Sequence, residues 1–235
     1  MTPQQKLIDR DYYDQTNYHN RNATHLIDAK SAFQSYRTQK VLEIHTPGKD
    51  DVVLDLGCGW GTFCWLLADR VKHITGLDFS ENSVTLCKEK LQKESYLNVD
   101  FHHADARDTR LPSEFYDLLI AADLFEHLYP DDSEKVITEA HRLLRSGGHL
   151  TAWTPNKSHI IEIMKNQNFL FKKDETHVDY KSMGGLVKTL EAAGFVIVKC
   201  YYVESHIPIF NVIERTFLRF IPLFRRRIAI LARKP

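Results

Sequence analysis

No C-x-x-C pair, no net charge and no uninterrupted apolar span occur in this 235-residue chain, and each absence excludes a class of protein. The four cysteines, Cys58, Cys64, Cys87 and Cys200, do not make a disulfide framework or a thiolate metal motif; they read as free thiols in a reducing compartment. Lys plus Arg and Asp plus Glu each number 31, so no net field draws the chain to nucleic acid. The first residues, MTPQQKLIDRDYYD, contain no apolar signal region. Glu214, Arg215 and Arg219 interrupt the best candidate for a membrane span. Internal repeats and low-complexity segments are also missing. These features together predict a cytoplasmic protein of one domain, long enough for a substantial core.

What is present centres on Val52–Phe63, VVLDLGCGWGTF. Val52, Val53, Leu54 and Leu56 form a short apolar, β-branched run, the pattern of a buried parallel strand. The run ends at Gly57, Gly59 and Gly61, and a helical pattern follows over Thr62–Val71. A strand, a glycine turn and a helix let a backbone approach a nucleotide-like ligand closely. A dinucleotide turn of the G-x-G-x-x-G type would need glycine where Thr62 stands, and Asp55 before the first glycine is a second departure.

Further elements follow in alternation. His73–Leu77 predicts a second strand ending at Asp78; Ser80 offers an N-cap and Glu81 a first-turn carboxylate for a helix to about Glu94. Val99–His103 and Phe115–Ala122 predict the third and fourth strands. Asp131–Arg145 reads as an amphipathic helix closed by Gly147-Gly148, with a fifth strand over Gly148–Trp153. Shorter helices are expected at Ser158–Asn166 and at Gly185–Ala193, the latter stopped by Gly194, then strands at Phe195–Val203 and Arg227–Ala232. This order implies right-handed βαβ crossovers and a mainly parallel sheet. Residues 1–47 read as an N-terminal helical cap, with insertions at 155–180 and 205–225 on the side where a second substrate would sit.

The run D-L-G-C-G-W-G, with an acidic residue closing the next strand, resembles motif I of the class I S-adenosylmethionine-dependent methyltransferases. The resemblance covers roughly Val41–Glu204. It implies an α/β, Rossmann-like, doubly wound sheet of seven strands, mostly parallel with the last strand antiparallel, and S-adenosyl-L-methionine as cofactor. On that basis Gly57, Cys58, Gly59 and Gly61 would pass close to the amino-acid end, with Asp55 accepting from its ammonium. Asp78 would take the ribose hydroxyls, and Phe79 would cover the adenine. Asp105 and the Ala106 amide would meet the adenine edge, and Ala122-Asp123 the sulfonium end. Tyr13 and Tyr18 could touch the carboxylate end from the N-terminal helix, although an aromatic packing cluster explains them equally well.

The chemistry is expected after the fourth strand, in A-A-D-L-F-E-H-L. Glu126-His127 matches an E-H pair of many small-molecule methyltransferases, including those acting on quinone precursors. His127 can serve as general base or merely orient its loop, and the two readings weigh about equally. His177, in T-H-V-D-Y, is expected to face the same site. Asp123, Glu126 and His127, with His177 more distant, could instead share a metal, a minority reading beside one with no metal. The acceptor is expected to be a small molecule methylated at oxygen. A lipid, glycan or other membrane-associated acceptor is the alternative, and a non-catalytic cofactor-binding or partner-binding protein a second one. Residues 215–227, basic and interleaved with aromatics, could touch a membrane surface or simply pack on the sheet.

Overall fold

The computed structural model describes residues 31–235. Seven strands form one sheet: β1 (Val52–Leu56), β2 (His73–Asp78), β3 (Val99–His103), β4 (Tyr116–Ala122), β5 (Leu144–Pro155), β6 (Val196–Val203) and β7 (Arg227–Arg233). Their spatial order is β3-β2-β1-β4-β5-β7-β6. The first five pair in parallel, and β7 inserts antiparallel between β5 and β6. The fold is the Rossmann-like, mostly parallel seven-stranded sheet expected from the sequence.

All five residues of β1 are buried, which is why this strand shows no polar alternation. Side-chain parity divides it between two cores. Val53 faces one layer with Leu118, Ile120, Phe63 and Trp153, under α1 (Ala32–Ile44), α2 (Thr62–Leu67) and α3 (Glu81–Leu91). Leu54 and Leu56 face the other with Leu119, Val136, Ile137 and Leu190, under α4 (Pro130–Leu143) and α6 (Met183–Ala192). Asp55 shares Val53's face, so its carboxyl is carried into the first layer, where α1 supplies Arg37.

Local signals set most of the element ends. Ser80 caps α3 by accepting from the Ser83 amide, and Glu81 stands in the first turn. Ser182 caps α6 through the Gly185 amide, and Gly194, at φ +94°, ends that helix as expected. The Gly147-Gly148 pair behaves differently from its prediction. α4 stops at Leu143 because Leu144 already pairs with Tyr116 of β4, and both glycines lie within β5. Gly147, at φ +83°, turns the strand's first half so that its amide reaches the Lys234 carbonyl at 2.9 Å. Between β5 and β6 run α5 (Ile160–Asn166) and α6, and between β6 and β7 runs α7 (Pro208–Phe217).

Candidate active site

Strand order reverses between β1 and β4, and the carboxyl ends of these strands diverge into a crevice, the place where open α/β sheets bind ligands. A cavity of about 410 Å³ occupies it. Its wall includes Asp55, Gly57–Gly59, Asp78, Phe79, Asp105, Ala106, Ala122, Asp123 and His127, contributed by the ends of β1, β2, β3 and β4.

The glycine turn is built from backbone conformations that side chains resist. Gly57, Gly59 and Gly61 stand at φ +78°, +51° and +70°. Amides of Gly57 and Cys58 both donate to the Leu77 carbonyl, at 2.8 and 2.9 Å, tying the turn to β2. Asp78 completes the tie: its Oδ2 accepts from the Gly59 amide at 2.8 Å and its Oδ1 from the Ser80 amide at 2.9 Å. A carboxylate oxygen has two lone pairs, so each keeps acceptor capacity beside these bonds. A side-chain acceptor pair held rigid at a cavity wall fits a vicinal diol, and these acceptors thus suit the ribose of S-adenosylmethionine. Gly61 does not line the cavity. A Cβ there would fall 2.9 Å from Trp65 Nε1 and 3.0 Å from Phe101, so its role is to let α2 pack.

Asp55 is buried, and burial pushes its carboxyl up to about 7, with Arg37 opposing and Asp78 reinforcing the shift. Asp105 reaches the wall with its carboxylate gripped by Arg107, whose Nη2 lies 2.6 Å from Oδ2; Arg107 also bonds Asp132 at 3.0 Å. Burial opposes the charge of Asp105, but these bonds hold its carboxyl below the ordinary range.

The loop after β4 carries the strongest electrostatics. Asp123, at φ +57°, receives Arg37 Nε at 2.6 Å and Arg227 Nη1 at 2.7 Å. Arg37 Nη2 also donates to the Ala122 carbonyl at 3.0 Å. Burial would raise the Asp123 carboxyl, but Arg227 and Arg37 outweigh it and hold it at about 2. Sequence reasoning missed this clamp, whose arginines lie 86 and 104 positions away.

Glu126 lies beneath the loop, off the cavity wall, accepting from the Thr154 hydroxyl at 2.9 Å. Burial first, then the nearby Asp123 charge, push its carboxyl up to about 8. His127 is on the wall, with Nδ1 3.1 Å from the Thr176 carbonyl. A carbonyl only accepts, so Nδ1 carries the proton and the neutral ring's lone pair belongs to Nε2. His177 packs behind His127, with ring centroids 4.9 Å apart, and its Nδ1 meets the Tyr180 hydroxyl at 2.8 Å. It supports the loop from behind and does not reach the cavity. Burial lowers its imidazole to about 3, and the neighbouring His127 imidazole acts in the same direction, so the ring is neutral. Glu126, His127 and His177 bring ligand atoms within 4.8 Å of one another. The sequence groups Asp123 with them, but the two arginines engage that carboxylate. Tyr13 and Tyr18 lie outside the described residues.

Comparison with known proteins accords with this geometry. Residues 53–148 match the methyltransferase domain family. A probable S-adenosylmethionine-dependent methyltransferase of Mycolicibacterium smegmatis is 33% identical over 110 residues, 47% of this chain and 39% of the relative. A ubiquinone biosynthesis O-methyltransferase of Aromatoleum aromaticum is 35% identical over 108 residues, 45% of this chain and 44% of the relative. The chain thus spans less than half the length of these curated relatives. In fold it is similar to a phosphoethanolamine N-methyltransferase 2 of Haemonchus contortus in complex with S-adenosyl-L-methionine, with TM-score 0.72 and 17% identity. That likeness covers 97% of this chain and 60% of the other. In its glycine motif, in the match over residues 53–148 and in fold, the chain is similar to the class I S-adenosylmethionine-dependent methyltransferases.

Proposed function

We propose that this protein transfers a methyl group from S-adenosylmethionine to a small-molecule acceptor, at oxygen. One observation carries the reading: Asp78 holds the left-handed Gly57–Gly61 turn against β2 while lining the crevice between β1 and β4. When bound, the cofactor supplies a methyl group already activated on a sulfonium, so the protein's work is alignment and proton removal. Gly57–Gly59 and Asp55 receive the amino-acid end, Asp78 the ribose, and Phe79, Asp105 and Ala106 the adenine. Asp105 does so while paired with Arg107. The Ala122-Asp123 backbone, held by Arg37 and Arg227, shapes the wall beside the sulfur.

His127 is the general base. An acceptor hydroxyl gives its proton to Nε2 as its oxygen takes the methyl, and Nδ1–H keeps the ring oriented on Thr176. Glu126 and His177 are positioning residues: the protonated Glu126 fixes the loop on Thr154, and neutral His177 supports the His127 ring. The partial likeness to the ubiquinone O-methyltransferase supports an oxygen acceptor.

The Glu126–His127–His177 cluster favours one second reading, a divalent cation that binds the acceptor oxygen. Turnover in the presence of a chelator separates the two: proton transfer by His127 predicts unchanged rates, and the cation reading predicts their loss with restoration by added metal. His127→Ala tests the first reading directly. Turnover should fall about 10²–10⁴-fold while affinity for S-adenosylhomocysteine stays the same. Full activity in that variant would leave His127 a structural role.

A further inference from the structure

The segment between β6 and β7 is built inside out. An ordinary surface helix buries its apolar stripe and exposes its charges. In α7, Glu214 is the buried residue, and the apolar side chains point outward. Ile209 is 75% exposed, Val212 66%, and Phe220, just beyond the helix, 79%. Glu214 is anchored by His159 at 3.1 Å, with both side chains buried, and by the Ser205 amide. His159 Nδ1 accepts from the Ile161 amide, so its Nε2–H is the donor to Glu214. This internal bond fixes α7 to the start of α5. A second outward run, Phe169–Phe171, follows α5 and leads into exposed Lys172 and Lys173.

The bond to His159 also sets the charge of the face. Glu214 is the only acidic residue between Ser205 and Pro235, and it is turned inward. Arg215 and Arg219, in contrast, are exposed among the apolar side chains. An exposed apolar surface with charge of one sign at its edge matches an interface that is apolar within and anionic at its boundary. A second copy of the chain is a poorer fit, since a self-complementary contact would bring the arginines of the two copies together.

We propose that α7 and its flanking residues dock on an anionic lipid bilayer, with Ile209, Val212 and Phe220 entering the headgroup boundary and Arg215 and Arg219 meeting the lipid phosphates. The face adjoins the carboxyl rim of the sheet: the Arg225 carbonyl accepts from Asn156 Nδ2 at the end of β5, and Arg227 grips Asp123. Docking is independent of methyl transfer, and a chain that methylated a soluble acceptor would still bind vesicles.

The test is flotation of the full chain with vesicles of phosphatidylcholine alone and of phosphatidylcholine mixed with phosphatidylglycerol. Binding is expected on the mixed vesicles, at least tenfold weaker on phosphatidylcholine, and reduced by salt. Each basic side chain at an anionic surface strengthens binding about fivefold, so Arg215→Glu/Arg219→Glu should weaken it more than about 20-fold. Ile209→Asp/Phe220→Asp should abolish it while leaving S-adenosylhomocysteine affinity unchanged. If that variant loses its cooperative melting transition, Arg215→Gln/Arg219→Gln decides, because it alters exposed charge alone. The proposal is overturned by flotation with neither vesicle, by equal flotation with both, by unchanged binding in the arginine variants, or by a dimer that the Ile209/Phe220 changes dissolve.

Discussion

Asp123 and Glu126 stand three positions apart in one loop, yet their surroundings drive them to opposite charge states. Two arginines keep Asp123 ionised at about 2, while burial and that same negative charge keep Glu126 protonated, at about 8. The consequences for stability have opposite signs. Asp123 is depressed from an ordinary 3.8, so its contribution is present above about pH 4 and is lost as pH falls toward 2. Glu126 is raised from 4.5, so the native state holds a proton that the unfolded chain releases, and stability declines as pH rises from about 4.5 to 8. Glu126→Gln keeps an acceptor for Thr154 and removes the titration. Melting temperatures measured from pH 5 to 8.5 should decline less steeply in this variant than in the unmodified chain. An identical slope in both would mean that Glu126 is ionised in the folded protein. The E-H pair was visible in the sequence, but these charge states were not, because they arise from burial in the fold and from Arg37 and Arg227 on distant elements.

At the scale of elements, the glycine turn and α1 make the crevice. Gly57→Val would place a β-branched side chain at φ +78° with its Cβ 3.0 Å from Leu124, on the loop that carries Asp123 and His127. A left-handed non-glycine position costs about 1–3 kcal/mol, and the displaced loop should also lose cofactor affinity. Calorimetric titration with S-adenosylhomocysteine checks this, and wild-type affinity would remove the turn from the site. Arg37→Ala leaves Asp123 with Arg227 alone and frees the Ala122 carbonyl. Breaking a buried pair costs about 3–5 kcal/mol; with Arg227 remaining, the lower figure corresponds to a fall of about 6–12 °C in melting temperature. A shift below 2 °C would show that the clamp contributes little.

The elements themselves were largely legible in the sequence. Apolar runs located the strands, and Ser80, Glu81 and Gly194 marked helix ends in the structure as they did in the sequence. Gly147-Gly148 misled for a physical reason. The signal for a helix stop and the signal for a bend in a strand are the same residue type, and pairing with β4 at Leu144 decided between them.

For the whole molecule, the reversal of strand order joins Asp55, Asp78, Asp105 and Asp123 around one cavity, although they span nearly 70 residues of sequence. Each closes or adjoins the end of an apolar strand, which made this half of the site readable. The segments proposed for the acceptor side, 155–180 and 205–225, were less readable because they are irregular and meet through single contacts such as His159–Glu214 and Arg225–Asn156. No helix among the described residues is long and apolar enough to cross a membrane. Thr62, in place of the glycine a dinucleotide turn would need, makes the identity of the bound nucleoside the central claim. Its most direct test is a thermal-shift titration of the full chain with S-adenosylhomocysteine and, in parallel, NAD. Saturable stabilisation by S-adenosylhomocysteine, weakened at least tenfold in Asp78→Ala and absent with NAD, is the expected result. Stabilisation by NAD with no response to S-adenosylhomocysteine would contradict it.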